Sequence, residues 1–113
     1  MARGKGQPHR AVLVLALAAV FAAGSAMATP SGERQAELLH RVKHDCGSCH
    51  GLTLKGGLGP PLLPASLAAR DDGDLVGVIL EGMPGTPMPP WRGELSEDEA
   101  HWIVRTLKEG LEP

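Results

Sequence analysis

Aromatic residues are nearly missing from this chain. It has no tyrosine, one phenylalanine and two tryptophans. Phe21 falls in an N-terminal apolar run, so only Trp91 and Trp102 remain for a folded core. Cysteine is as scarce, at two. A structural zinc site would want two further ligands at matching spacing, and no third cysteine exists. An excess of positive charge is also lacking: eleven Lys and Arg face thirteen Asp and Glu, for a formal charge of −2. That balance speaks against binding nucleic acid or an anionic membrane by charge alone. The one long apolar run, Ala11 to Ala23, falls short of the ~20 residues a membrane-spanning helix wants. With 113 residues there is room for one small domain at most, and such a domain buries a thin core that often needs a staple.

The N-terminus does not read as part of that domain. Arg3, Lys5 and Arg10 come without an acid, and the alanine-rich run follows them. Gly24-Ser25 breaks the run, and Ala26-Met27-Ala28 places small residues where a signal peptidase needs them. Residues 1–28 are therefore expected to be a cleaved signal peptide, with 29–113 as the domain. The alternative is an uncleaved anchor, which the short run disfavours. No cysteine adjoins the cleavage point, so lipid attachment is not indicated. Removing the leader takes three basic residues and no acid, so the formal charge becomes −5.

What is present is concentrated in Cys46-Gly47-Ser48-Cys49-His50. On a helix, positions i, i+3 and i+4 share one face, with Cβ atoms about 5–6 Å apart. Two thiols so placed can form thioethers with the two vinyl groups of one porphyrin. The imidazole that follows falls under the iron as proximal ligand. CxxCH is the attachment signature for haem c. A thioredoxin-like redox pair would need a βαβ pattern around it, and none is visible. One covalent porphyrin would also serve as staple and as core for a domain short of aromatics.

The remaining pattern is helical. Ser31 to Cys46 reads as a first helix, capped by Ser31, with Ala36, Leu39, Val42 and Cys46 inward. His40 and His44 fall on its solvated side. Gly51 to Pro61 is a glycine-rich loop. A short turn follows between Leu62 and Ala69, with Leu63 and Leu67 inward. Asp71-Asp72-Gly73-Asp74 starts a helix on which Leu75, Val78 and Ile79 face the core, and Gly82 stops it. The acids are too few in alternation for a calcium loop. Ser96 and Glu99 form a capping box before a stripe of Ala100, Ile103, Val104 and Leu107. This last helix is expected to cross the first, with Trp102 at the edge and His101 solvated.

Met83 to Trp91 carries four prolines in nine residues and reads as a stiff, extended loop. A methionine opposite histidine raises a haem's potential and marks electron-transfer cytochromes. Met83 and Met88 both precede proline, so backbone restraint does not choose between them. Met83 abuts a helix end and suits a core filler, whereas Met88 sits in mid-loop.

Taken together, Cys46-Gly-Ser-Cys49-His50, Gly59-Pro60-Pro61-Leu62 and Met88-Pro89-Pro90-Trp91 resemble a class I monohaem cytochrome c. More narrowly, the stretch from Gly82 to Trp91 resembles the small periplasmic NirC-type cytochromes associated with dissimilatory nitrite reductase. Met83 is one departure, since many relatives have a charged residue there. The resemblance implies an all-α fold of about three main helices around one haem c held by Cys46 and Cys49. It implies His50 and Met88 as iron ligands. The Pro60 carbonyl is then the acceptor that orients His50, and Trp91 is part of the haem site. It further implies a periplasmic single-electron carrier, monomeric and not an enzyme, working with nitrite reductase or its donor as redox partner. A haem-handling maturation factor for that reductase, and a sensor or enzyme with an open sixth position, are the rival functions.

Overall fold

A computed structural model of the protein describes residues 24–111 together with Ala2 and Gly4. The apolar run of the expected signal peptide lies outside the described residues. From Gly24 to Pro30 the chain is exposed for the most part and has neither helix nor strand. Helix α1 spans Gly32–Arg41 and continues without a break through a π-helical segment, Val42–Cys46, into α2, Gly47–His50. A single turn, α3, covers Pro64–Leu67. Two longer helices follow, α4 at Asp72–Glu81 and α5 at Glu97–Glu109. No strand occurs among the described residues. The fold is all-α, with three main helical bodies and long Gly/Pro connections.

The helix starts are chemically marked. Ser31 accepts from the Arg34 N–H, and Asp71 accepts from the Asp74 N–H. Ser96 accepts from the Glu99 N–H at 3.1 Å, while the Glu99 carboxylate accepts from the Ser96 N–H at 2.9 Å, which completes the capping box. On α5 the expected stripe is the buried one: Ala100, Ile103, Val104 and Leu107. Trp102 is half-buried against the same core. His101 is also half-buried, not solvated.

Two other faces are rotated from expectation. On α1 the buried residue is Leu38, and Val42 follows it in the π segment, whereas Ala36 and Leu39 are exposed. Leu38, Val42 and Cys46 succeed one another at four-residue intervals, so the inward line still ends at the first cysteine. On α4 the deepest residues are Val76 and Leu80, with Leu75 and Ile79 half-buried beside them. Helix α5 packs chiefly on α4 and on α3, and only lightly on α1. The core is thus built between α4, α3 and α5 together with the α1–π body, whose Leu38 and Val42 are among its most deeply buried side chains.

One tie across the α1–α5 junction is electrostatic. Arg34 Nε donates to the Glu99 carboxylate at 2.6 Å. The guanidinium holds the Glu99 carboxyl below the usual carboxylate range, against an opposing desolvation. A depressed folded-state value stabilises the fold above the unfolded value, about 4.3 for glutamate, and that stability is lost as pH falls through the folded value. Glu99→Gln keeps an acceptor for Ser96 but removes the charge. Its melting temperature should lie below wild type at pH 7, and the gap should close as pH falls through the depressed folded-state value, below which the carboxylate is protonated in both states. A gap independent of pH would show that the ion pair contributes nothing.

Candidate functional site

The site begins where the α1–π–α2 body ends. The Gly47 N–H reaches back to the Val42 carbonyl, five residues earlier, the mark of π-helical winding. Such bulges are common at functional sites because they re-aim the residues that follow. Beyond the bulge, Gly47–His50 is a regular turn, so Cys46, Cys49 and His50 keep the shared face that their spacing implies. Both cysteines are free thiols and half-buried. Burial, and then the neighbouring Asp45, push the Cys46 thiol up from its ordinary value.

The glycine-rich loop wraps the end of this helix. Gly56 donates its N–H to the His50 carbonyl, and Gly59 donates to the Cys49 carbonyl, both at 2.8 Å. These bonds satisfy helix-end carbonyls that would otherwise lack partners. The wrap needs contacts that a side chain would block. A Cβ on Gly59 would sit 2.8 Å from two atoms of the His50 ring. The loop also turns inward at Leu54, whose φ is +57° and whose side chain is buried.

The outcome is a fixed imidazole. His50 Nδ1 lies 2.7 Å from the Pro60 carbonyl oxygen. A carbonyl can only accept, so Nδ1 carries the proton and Nε2 keeps its lone pair. Ligating histidines are characteristically held in this way, which fixes the ring and raises its basicity. Two free thiols and one oriented imidazole on a single helical face are the donor set that haem c requires, and these residues fit the group.

The proline-rich segment is closed instead of extended. Met83-Pro84-Gly85-Thr86 forms a turn, with Pro84 supplying the restrained φ and Gly85 at φ +80°. Thr86 donates to the Met83 carbonyl from both its N–H and its hydroxyl. The Met83 N–H donates to the Met88 carbonyl, so the two methionines close the same small loop. Their environments differ. Met83 is 49% exposed and is no core filler, whereas Met88 is half-buried. Beyond Met88 the chain is fastened to α4 by Trp91 N–H to the Ile79 carbonyl and Arg92 N–H to the Leu80 carbonyl, each at 3.1 Å. Arg41 crosses from α1 to place its guanidinium 5.5 Å from the Trp91 ring centre. It also pairs with Glu94. Arg41 thus links the cysteine-bearing helix to the methionine loop, a connection the sequence alone does not show.

Gly82 makes the closure possible. Its φ is +69°, and a Cβ there would meet the Met88 carbonyl oxygen at 2.7 Å and Pro89 and Pro90 backbone atoms at 2.8 Å. Gly82→Ala should therefore displace the Met88–Pro90 segment and cost about 2–4 kcal/mol in a denaturant titration. A wild-type unfolding curve would mean that the segment yields without cost.

A helical CxxCH segment with its histidine held by a proline carbonyl defines a c-type cytochrome. Comparison with known proteins narrows this. Residues 33–105 match the family model described as cytochrome C oxidase, cbb3-type, subunit III. A relative named cytochrome c55X, from Paracoccus denitrificans, is 59% identical over 94 residues, covering 82% of this chain and 91% of the relative. The solved c-type cytochrome NirC is 54% identical with a TM-score of 0.70, over 72% of this chain and 95% of that one. The solved dihydro-heme d1 dehydrogenase NirN in complex with DHE is 39% identical with a TM-score of 0.57. That match covers 68% of this chain but 17% of the dehydrogenase. The chain belongs to the c-type cytochrome family, as a small cytochrome of the NirC type with one haem c covalently held through Cys46 and Cys49.

Proposed function

We propose that the chain is an exported single-electron carrier, with His50 and Met88 as the axial ligands of its haem iron and Trp91 against the porphyrin. The leader, residues 1–28, takes it to the periplasm, and residues 29–113 are the mature cytochrome. The haem supplies one-electron chemistry, its iron alternating between Fe(II) and Fe(III). His50 and Met88 would hold the iron and keep other molecules off it. The observation that carries this reading is the 2.7 Å bond from His50 Nδ1 to the Pro60 carbonyl, which leaves Nε2 free as a strong donor. The half-buried Met88, in a loop pinned to α4, supports a closed sixth position. No helix among the described residues is long and apolar enough to cross a membrane.

The likeness to NirC-type cytochromes supports a redox partner in nitrite reduction: nitrite reductase itself, or the protein that feeds it electrons. The formal charge of −5 after leader removal fits docking on a basic rim. Reduced protein mixed with oxidised haem-containing nitrite reductase in a stopped-flow instrument should be reoxidised. The bimolecular rate should fall as salt is raised past the ionic strength at which the Debye length is about 8 Å. A rate indifferent to salt would remove the steering argument, and no reoxidation at all would remove the partner. The likeness to one segment of dihydro-heme d1 dehydrogenase favours one alternative, an accessory that serves maturation of the reductase's haem. That reading predicts electron exchange with the maturation machinery and none with the finished reductase.

A further inference from the structure

Outside the haem segment, the described residues bring two imidazoles together. His40 lies in the last turn of α1 and His44 four residues on, in the π segment. Their ring centres are 4.2 Å apart, with planes tilted by 44°. Both residues are exposed. Among the described residues, neither ring takes part in a hydrogen bond or an ion pair. The backbone beneath them is continuous helix, so the pair is held on a rigid base. Neighbouring charges cancel: Glu37 and Asp45 on one side of the count, Arg41 and Lys43 on the other. The carboxylates are partly engaged already, since Glu37 is paired with Arg34 at 2.7 Å and Asp45 lies 3.9 Å from Arg41.

We propose that His40 and His44 form a surface chelate for a divalent d-block cation, distinct from the haem iron. Two histidines at i and i+4 share a helix face and can donate to a single metal, the arrangement used in helical zinc motifs. Metal–nitrogen bonds of about 2.0–2.1 Å place two donor nitrogens around one ion roughly 3 Å apart. Rings already centred 4.2 Å apart are close enough for both to donate to one ion. Imidazole suits zinc, nickel and copper, and Cu²⁺ stands highest among the divalent first-row ions. No group of three or more His, Cys, Asp or Glu donors is assembled among the described residues, so water completes the coordination. The cation adds positive charge to the helix that carries both haem cysteines, on a chain that is otherwise acidic.

The test uses untagged holo-protein, freed of trace metal with a chelator and titrated calorimetrically with zinc and with copper(II) salts. Wild type should take up one equivalent of each, copper more tightly than zinc. His40→Ala and His44→Ala should each weaken binding by roughly tenfold or more, since either leaves a lone surface imidazole. His101→Ala should leave binding unchanged. The visible haem spectrum of every variant should match wild type, which shows that the loss is not a loss of fold. Absence of saturable binding overturns the proposal. So does binding that survives both single substitutions, or that disappears with His101.

Discussion

Met88→Ala is expected to abolish the sulfur–iron charge-transfer band of the oxidised protein, lower the midpoint potential and admit carbon monoxide to the reduced iron. A neutral thioether favours Fe(II), so its loss moves the potential down, by a sizeable part of the ~0.8 V range that axial ligands span. Met83→Ala is the matched control. Its side chain is 49% exposed, so the substitution should change stability by no more than about 0.5 kcal/mol and leave the spectrum alone. The two residues sit at opposite ends of one closed turn, joined by the Met83 N–H to Met88 carbonyl bond. If the variants trade behaviours, Met83 is the ligand. If neither alters the spectrum and wild type already binds carbon monoxide, the sixth position is open, and the electron-carrier proposal yields to a sensor, an enzyme or a maturation factor.

The contrast between α5 and α4 shows what a sequence can transmit about this fold. In α5, His101 and Trp102 separate Ala100 from Ile103, and Arg105 and Thr106 separate Val104 from Leu107, so small and aliphatic residues recur in a single phase. In α4, Leu75, Val76, Val78, Ile79 and Leu80 are apolar almost all round, and neighbouring phases fit equally well. Only tertiary packing selects Val76 and Leu80. The same ambiguity arises at Leu38-Leu39, where adjacent leucines compete for one inward place. The π winding at Val42–Cys46 has no residue signature at all. It is a hydrogen-bond shift, and every side chain in it is compatible with α-helix. Cys46 and Cys49 were readable because covalent chemistry imposes fixed spacing, and His50 stands in the same motif. Pro60 was readable only through family likeness, and the 2.7 Å geometry now gives it a physical role. Arg41 was invisible because its partners, Trp91 and Glu94, are remote in sequence and their approach depends on the closed turn.

Gly59 joins the loop to the proposed ligand His50, and Gly59→Ala is the substitution expected to do most damage without replacing a proposed haem-binding residue. The new Cβ would lie 2.8 Å from His50 Cε1 and Nδ1 and 3.2 Å from Nε2, against the ring itself. Two responses are open to the molecule. The ring can rotate away, which breaks the bond to the Pro60 carbonyl. Or the loop can lift, which breaks the 2.8 Å bond from the Gly59 N–H to the Cys49 carbonyl. Either costs a hydrogen bond at a partly buried site on top of overpacking, about 2–4 kcal/mol together. Holo-protein should accumulate poorly, and the chains that do carry haem should show a weakened six-coordinate spectrum. Pro60→Ala separates the two causes. It keeps the backbone carbonyl and so keeps the acceptor for Nδ1, and it should cost no more than about 1 kcal/mol, mainly through a looser unfolded chain. Wild-type stability and spectrum in Gly59→Ala would show that His50 is not held by this loop. A Pro60→Ala variant as damaged as Gly59→Ala would instead show that the proline ring, not its carbonyl, orients the ligand.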